Sequence, residues 1–395
     1  MAATSYHLAL DLGAESGRAI LGRLDSNTLE TTEVHRFGHV PIETGRGLLW
    51  DMDALWEGIR EGVRAGAALA REQGGELGSL GVDTWGVDYT LLDENHEILE
   101  PPHAYRDPRN TAAMEELVAD LGEQELYEAT GNQLMPFSTL FQLRAQLRAD
   151  PSVIQRAQRL LFMPDLFHQR LTGKRVTEAS IASTSQLLDP RTRDWNRELA
   201  LRCGLPPRIL GAIVPAGTVI GPLLPGLARD LAVPDACQVV APATHDTASA
   251  IAAIPAEPGT SWAYLSSGTW SLLGALIDEP CLTEAARKGP FTHEIGANGE
   301  IRLLKMITGL WLVQGIRKEL AAIGQEFSYH ELQDLAAEAE PHRILLDETD
   351  AAFQSPEGRI AAIQDFARRT QQPVPETPGA LVRCCLETLA LSYRH

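Results

Sequence analysis

Residues 6–22 read YHLALDLGAESGRAILG. Two apolar runs, His7-Leu8-Ala9-Leu10 and Ala19-Ile20-Leu21, have the composition of strands, and Gly13, Ser16 and Gly17 between them supply a turn. The stretch therefore predicts a β-hairpin. A turn of small residues leaves backbone N–H groups able to point outward, which suits a phosphate. Asp11 ends the first strand beside that turn, where a carboxylate can hold a hydrated Mg2+ against phosphate oxygens, and Arg18 adds positive charge on the far side. Standing alone, such a stretch is only a hairpin with a capping Asp.

A second copy changes that. Residues 262–277, WAYLSSGTWSLLGALI, repeat the plan of apolar strand, Ser-Ser-Gly-Thr turn and apolar strand. Two like hairpins in one chain predict two related α/β domains facing each other across a ligand cleft. The arrangement resembles the actin-like ATPase (ribonuclease H-like) fold, in which each half contributes one phosphate-binding hairpin. Residues 254–259, IPAEPG, break the pattern between the copies. The expected domains are 1–254 and 255–395.

A chain of 395 residues exceeds the size at which one core usually stops growing, which agrees with two domains. The net charge of −19, with no run of Lys or Arg, excludes nucleic acid as a partner. An anion must then be held by local devices such as oriented N–H groups and Mg2+. Five scattered cysteines without a C-x-x-C pair fit a reducing compartment. With neither a signal peptide nor a long apolar stretch, the expectation is a cytoplasmic protein, monomeric or weakly dimeric, with no membrane partner.

Between the hairpins the pattern alternates. Residues 28–40 read as a strand. Asp51-Met52-Asp53 offers N-cap material to a helix whose apolar face is Leu55, Ile59, Val63 and Ala67. Residues 80–84 read as a strand ending in Asp83-Thr84-Trp85-Gly86, where a carboxylate and an indole stand at a strand end; the indole either stacks on a sugar or is a structural core residue. A polar loop, PPHAYRD at 101–107, follows. Asp165 and His168 read as solvated positions of a helix face, and residues 171–174 lack the upstream glycine of a Walker A loop. Residues 238–243 form a short buried strand before His245-Asp246-Thr247, which opens a helix. Asp246 is either an N-cap or the base that takes a hydroxyl proton in phosphoryl transfer. Residues 291–305 predict two strands around Asn298-Gly299, and a helix over 307–320 carries Trp311 and Gln314.

DLGAESGR at 11–18, GVDTWGVDY at 81–89, AYRDPR at 104–109, MPDLFHQRLTGK at 163–174, THDTASA at 244–250 and YLSSGTWSLLG at 264–274 together resemble the FGGY family of carbohydrate kinases. The resemblance implies transfer of phosphate from MgATP to a ketose, in the branch it most resembles the C1 hydroxyl of L-rhamnulose, with fuculose and xylulose as alternatives. It implies Asp246 as general base, with Gly86, His245 and Thr247 lining the sugar pocket. Ala14, Glu15, Ser16, Gly17 and Arg18 would form the first phosphate loop, Thr269 would belong to the second, and Gln314 would approach the nucleotide. Glu15 departs from the small residue expected in that loop, and Met306 stands where an amide is expected. The family pattern continues past residue 395 with a Gly-Gly-Gly loop for adenosine, while residues 380–395 read as a helix. The second domain is therefore expected to be incomplete, and a catalytically impaired sugar-binding remnant is the alternative to an active kinase.

Overall fold

The structure is a computed structural model that describes residues 4–257, 259–348, 350–353 and 358–394. Pro258 of the expected boundary and His395 of the expected last helix lie outside the described residues.

The chain divides into two compact units. The first comprises Met1–Thr260 and Leu276–Leu303. Its centre is a sheet built from β1 (Ser5–Leu12), β2 (Ser16–Asp25) and β3 (Thr28–Gly38), followed after helix α1 (Met52–Glu72) by β4 (Leu77–Thr84) and, after helix α2 (Met163–Thr172), by β5 (Thr218–Pro222) and β6 (Gln238–Ala241). The strand order is β5-β6-β4-β1-β2-β3. The predicted hairpin is present, with β1 and β2 antiparallel from Ser5↔Leu24 to Leu12↔Gly17, and β4 lies parallel to β1. Alternation along β1 buries Tyr6, Leu8, Leu10 and Leu12, which places Asp11 on the opposite face. Helix α1 starts at Asp51, whose side chain accepts the Ala54 N–H, and it buries Leu55, Ile59, Val63 and Ala67 as the spacing predicts.

The ladder between β4 and β6 is short, and that decides where the site lies. Its register comprises Gln238↔Ser79 and Val239↔Leu80. Beyond it, Gly81 lies so near β6 that an added Cβ would stand 2.9 Å from the Val240 carbonyl oxygen and 3.1 Å from Pro242 Cδ. Proline has no N–H to continue a ladder, so the strands part there. The N–H of Val82 instead donates to His168 Nε2 of α2 at 3.2 Å. His168 and Asp165 are both fully buried, which corrects the expectation of solvated helix-face residues. Polar residues usually mark the open face of an amphipathic helix, but this helix is enclosed almost all round.

Residues 276–303 join the first unit, which differs from the expected division at 254/255. The reason is packing. Along the chain, β7 (Tyr264–Ser267) and β8 (Trp270–Ile277) are followed by β9 (Phe291–Ile295) and β10 (Ile301–Thr308). Ile295 and Ile301 are buried in a core cluster with Leu140, Phe141 and Phe162, and Asn132 Nδ2 donates to the His293 carbonyl at 3.2 Å.

The second unit comprises Ser261–Ala275 and Leu304–His395. Its hairpin pairs β7 with β8 from Tyr264↔Gly274 to Ser267↔Ser271. Helix α3 (Asp246–Ala252) lies in the first unit, and α4 (Trp311–Ala322), α5 (Tyr329–Glu338), α6 (Arg359–Arg369) and α7 (Pro378–Arg394) lie in the second. Leu312, Ile316, Leu332, Ile363, Leu381 and Cys385 form the core of the second unit. The helix predicted from 307 starts later, at Trp311, because Ile307 and Thr308 continue β10.

Candidate active site

In the first unit, β1 and β4 end side by side with Asp11 and Asp83 as register partners. Asp246 opens α3, just after the point where β4 and the chain beyond β6 meet again through Thr84 N–H and the Thr244 carbonyl at 2.9 Å. Three carboxylates thereby influence one another. Burial, then the negative charges of Asp11 and Asp246, push the Asp83 carboxyl well above the usual carboxylate range. Burial also raises the pKa of Asp246, opposed by His245 and by hydrogen bonds from Thr247.

Asp246 is not the N-cap. His245 occupies that position, and Asp246 Oδ1 accepts from the backbone N–H of Thr247 at 2.6 Å and from its hydroxyl at 3.1 Å. Its side chain keeps 30% of its surface exposed, so the carboxylate is reachable. Gly86 closes in beside it: a Cβ there would stand 3.4 Å from His245 Nε2 and 3.2 Å from Thr184 Cγ2. Gly86, His245, Asp246 and Thr247 are thus brought together.

The main chain of this segment hangs on Glu178, which is fully buried. Its Oε2 accepts from the N–H and hydroxyl of Thr244, each at 2.9 Å, and from the Ser180 hydroxyl at 2.5 Å. Ser180 Oγ in turn accepts the His245 N–H at 3.1 Å. On its other side the His245 ring meets Glu294 and Arg302. Burial pushes the Glu294 carboxyl up, yet Arg302 and His245 outweigh it and hold it down at about 2.

The first hairpin turn is tied down from several sides. Gly13 N–H donates to the Ser16 carbonyl at 3.0 Å, and the Glu15 carbonyl accepts from His39 N–H at 3.1 Å. Ala14 and Ser16 are half-buried, while Glu15 is exposed with Oε1 3.8 Å from Arg106. Gly17 is buried against the Phe37 ring, which leaves no room for a side chain. Arg18 Nη2 lies 2.6 Å from Asp11 Oδ2. The two residues expected to hold metal and phosphate are therefore joined to each other.

Trp85 is a core residue rather than a stacking platform. Its indole N–H donates to Asp88 at 2.9 Å, Trp50 donates to the same oxygen at 2.6 Å, and the two rings lie 4.3 Å apart. Burial raises Asp88 to about 6 in spite of these bonds. In the 101–107 loop the polar groups serve the fold, since Asp107 accepts the Leu48 N–H at 3.0 Å and His103 is depressed to about 4 by burial and by Arg109.

In the second unit, Thr269 stands at the turn between β7 and β8, and Gln314 lies in the first turn of α4. Gln314 Nε2 donates to Thr269 Oγ1 at 3.2 Å, and the Thr269 carbonyl accepts Trp311 N–H at 3.2 Å. The turn and the helix start form one structure. Met306 lies half-buried in β10. Glu178, Glu294 and Arg302 carried no signal in the sequence, for each lies tens of residues from His245 without a recognisable spacing. Among the described residues, no group of three or more His, Cys, Asp or Glu side chains is arranged to hold a metal.

Comparison with known proteins places this geometry in a family. The chain is 42% identical over 386 residues to a rhamnulokinase from Bacteroides thetaiotaomicron, covering 98% of this chain and 78% of that protein. It is 37% identical to a rhamnulokinase from Oceanobacillus iheyensis, covering 98% and 80%. A ligand-bound xylulose kinase from Lactobacillus acidophilus superposes with a TM-score of 0.79 at 16% identity over 98% of this chain and 76% of that one, a likeness in fold. That fold is the two-domain, actin-like ATPase type. The model of the FGGY carbohydrate kinase N-terminal domain matches residues 6–252, and that of the C-terminal domain matches residues 263–395. The chain belongs to the FGGY family of carbohydrate kinases.

Proposed function

We propose that this carbohydrate kinase transfers the γ-phosphoryl group of ATP to the C1 hydroxyl of L-rhamnulose, with Asp246 as the general base. The observation that carries the assignment is Asp246 itself. It sits at a strand-to-helix junction yet leaves the capping position to His245, and it keeps a partly buried but reachable carboxylate whose pKa burial raises. Relatives at 36–42% identity over 98% of the chain that bear the name rhamnulokinase support the choice of ketose.

In this reading Asp246 takes the hydroxyl proton as the C1 oxygen bonds to the γ-phosphorus, and the bond to the bridging oxygen of ADP breaks. Gly86 brings the main chain close to His245 at the edge of the proposed sugar pocket, where a side chain would crowd the ring. The first turn, with Ala14, Glu15, Ser16, Gly17 and Arg18, meets phosphate oxygens, and Thr269 and Gln314 are further nucleotide-binding residues. Mg2+ fits the donors at Asp11 and Asp83, which are all oxygen, and a cation there would offset the burial and the neighbouring negative charges that raise Asp83. When bound, it would neutralise charge on the transferring phosphates. Asp11 would be its carboxylate ligand, shared with Arg18. The free state of the cysteines agrees with a reducing cytoplasm.

The test is the Asp246→Asn variant, assayed by ADP release with L-rhamnulose, L-fuculose and D-xylulose. Turnover should fall about 10²- to 10⁴-fold while ketose binding persists. Near-native turnover removes Asp246 from the role of base. ADP release that no ketose stimulates overturns the kinase assignment, and a preference for fuculose or xylulose corrects the substrate.

A further inference from the structure

His245 is held by a charged pair that the proposed chemistry does not use. Arg302 is fully buried and Glu294 exposes 8% of its side chain, and the two form an ion pair through Arg302 Nη2 and Glu294 Oε2. Both atoms also face one ring nitrogen: His245 Nδ1 lies 2.9 Å from Arg302 Nη2 and 3.2 Å from Glu294 Oε2. A buried ion pair rarely stabilises more than an apolar pair of the same volume, so a fold gains little from it as packing. Among the described residues, Arg302 Nε and Nη1 have no hydrogen-bond partner, which adds to its cost.

We propose that Arg302 and Glu294 are positioning residues that fix the tautomer and direction of His245, so that Nε2–H is presented as a donor to a ketose hydroxyl beside Asp246. This rests on the kinase reading of Asp246. A guanidinium has donors only, so at the shorter of the two contacts Nδ1 accepts from Arg302 and the ring proton resides on Nε2. Glu294 binds the guanidinium and holds it in that orientation. Nε2 then stands 3.6 Å from Asp246 Oδ1, too far for a hydrogen bond between them, and no side chain of residue 86 covers it, since that residue is a glycine whose added Cβ would stand 3.4 Å from Nε2. The main chain of His245 is anchored separately through Ser180 Oγ, which leaves the ring to the Arg302–Glu294 pair.

Two measurements decide it. In the ¹⁵N-labelled protein, the long-range ¹H–¹⁵N spectrum of the imidazoles, with His245 assigned by its loss in His245→Gln, should show the Nε2–H tautomer at neutral pH. The Nδ1–H tautomer overturns the proposal, and this readout does not depend on turnover. In kinetics, Arg302→Met and Glu294→Gln should each raise KM for the ketose by about 10- to 100-fold, the scale seen for outer partners of oriented imidazoles at metal sites, with KM for ATP within about twofold. In the His245→Gln background, where an amide N–H stands in for Nε2–H, Arg302→Met should add little; a further tenfold loss there overturns the assignment. Should Arg302→Met fail to unfold cooperatively, the isosteric Glu294→Gln and the tautomer decide between the outcomes. Failure of Asp246→Asn to slow turnover would remove the kinase reading while leaving the tautomer result intact.

Discussion

His168 does the work of a missing strand. Where Pro242 ends the ladder beside β4, the Val82 N–H would be buried without a partner, and His168 Nε2 accepts it at 3.2 Å. Burial lowers the imidazole from its ordinary 6.5 to about 3. A folded pKa below the unfolded one means that this contribution to stability is whole above pH 6.5 and is lost as pH falls from 6.5 toward 3. His168→Gln keeps an acceptor and cannot take up a proton. The unfolding free energy of the wild type relative to this variant should therefore drop by about 1 kcal/mol per pH unit between about pH 6 and 4, measured by urea titration. A difference that does not change with pH refutes the role. The sequence could not disclose it, because the partner lies 86 residues away and the helix carries Asp, His, Gln and Arg as a solvated helix would.

At the scale of elements, α1 meets the sheet through Gly58, Gly62 and Gly66, spaced by four residues along its buried face. A Cβ on Gly62 would stand 2.7 Å from Ala19 Cβ, and one on Gly66 would stand 2.6 Å from Leu8 Cδ1. The first contact cannot be relieved by a rotamer, since Ala19 has none. Alanine in a helix is favoured over glycine by about 1 kcal/mol, whereas overpacking costs about 1–3 kcal/mol. Gly62→Ala should accordingly destabilise the protein by up to about 2 kcal/mol, despite better helix propensity, and lower its urea midpoint. A stabilised variant would show that α1 and the sheet do not lie this close. The apolar face of Leu55, Ile59, Val63 and Ala67 was legible from spacing alone. The glycine row was not, because what makes it necessary is the nearness of β1 and β2.

For the whole molecule, the division of the chain follows packing rather than sequence order. Residues 276–303 bring Ile295 and Ile301 into the first unit's core, at 2% and 0% exposure. Burial of an isoleucine contributes about 1.5–3 kcal/mol, so their loss removes about 3–6 kcal/mol from a total that is typically about 5–15 kcal/mol. A fragment of residues 1–303 should unfold cooperatively in urea, whereas one of residues 1–254, cut at the Pro-rich break, should unfold at lower urea with a shallower transition. Equal midpoints would return the boundary to the break at 254–259.

Much of this protein was determined by sequence alone. Strand alternation, turn residues and helical spacing are local, so both hairpins, α1 and the opening of α3 at His245-Asp246 are legible from the residues themselves, and their order along the chain carries the family resemblance. Tertiary structure alone decided which charges meet. Asp11 and Asp83 become neighbours because β1 and β4 pair in parallel, and Arg302 reaches His245 across 57 residues because β10 returns to the first unit. No local pattern records such meetings: desolvation and the field of nearby charges depend on what surrounds a side chain, which is set only when distant segments pack. That is why the junction at His245-Asp246-Thr247 could be read from the chain, while Glu178, Glu294 and Arg302, which pack around it, could not.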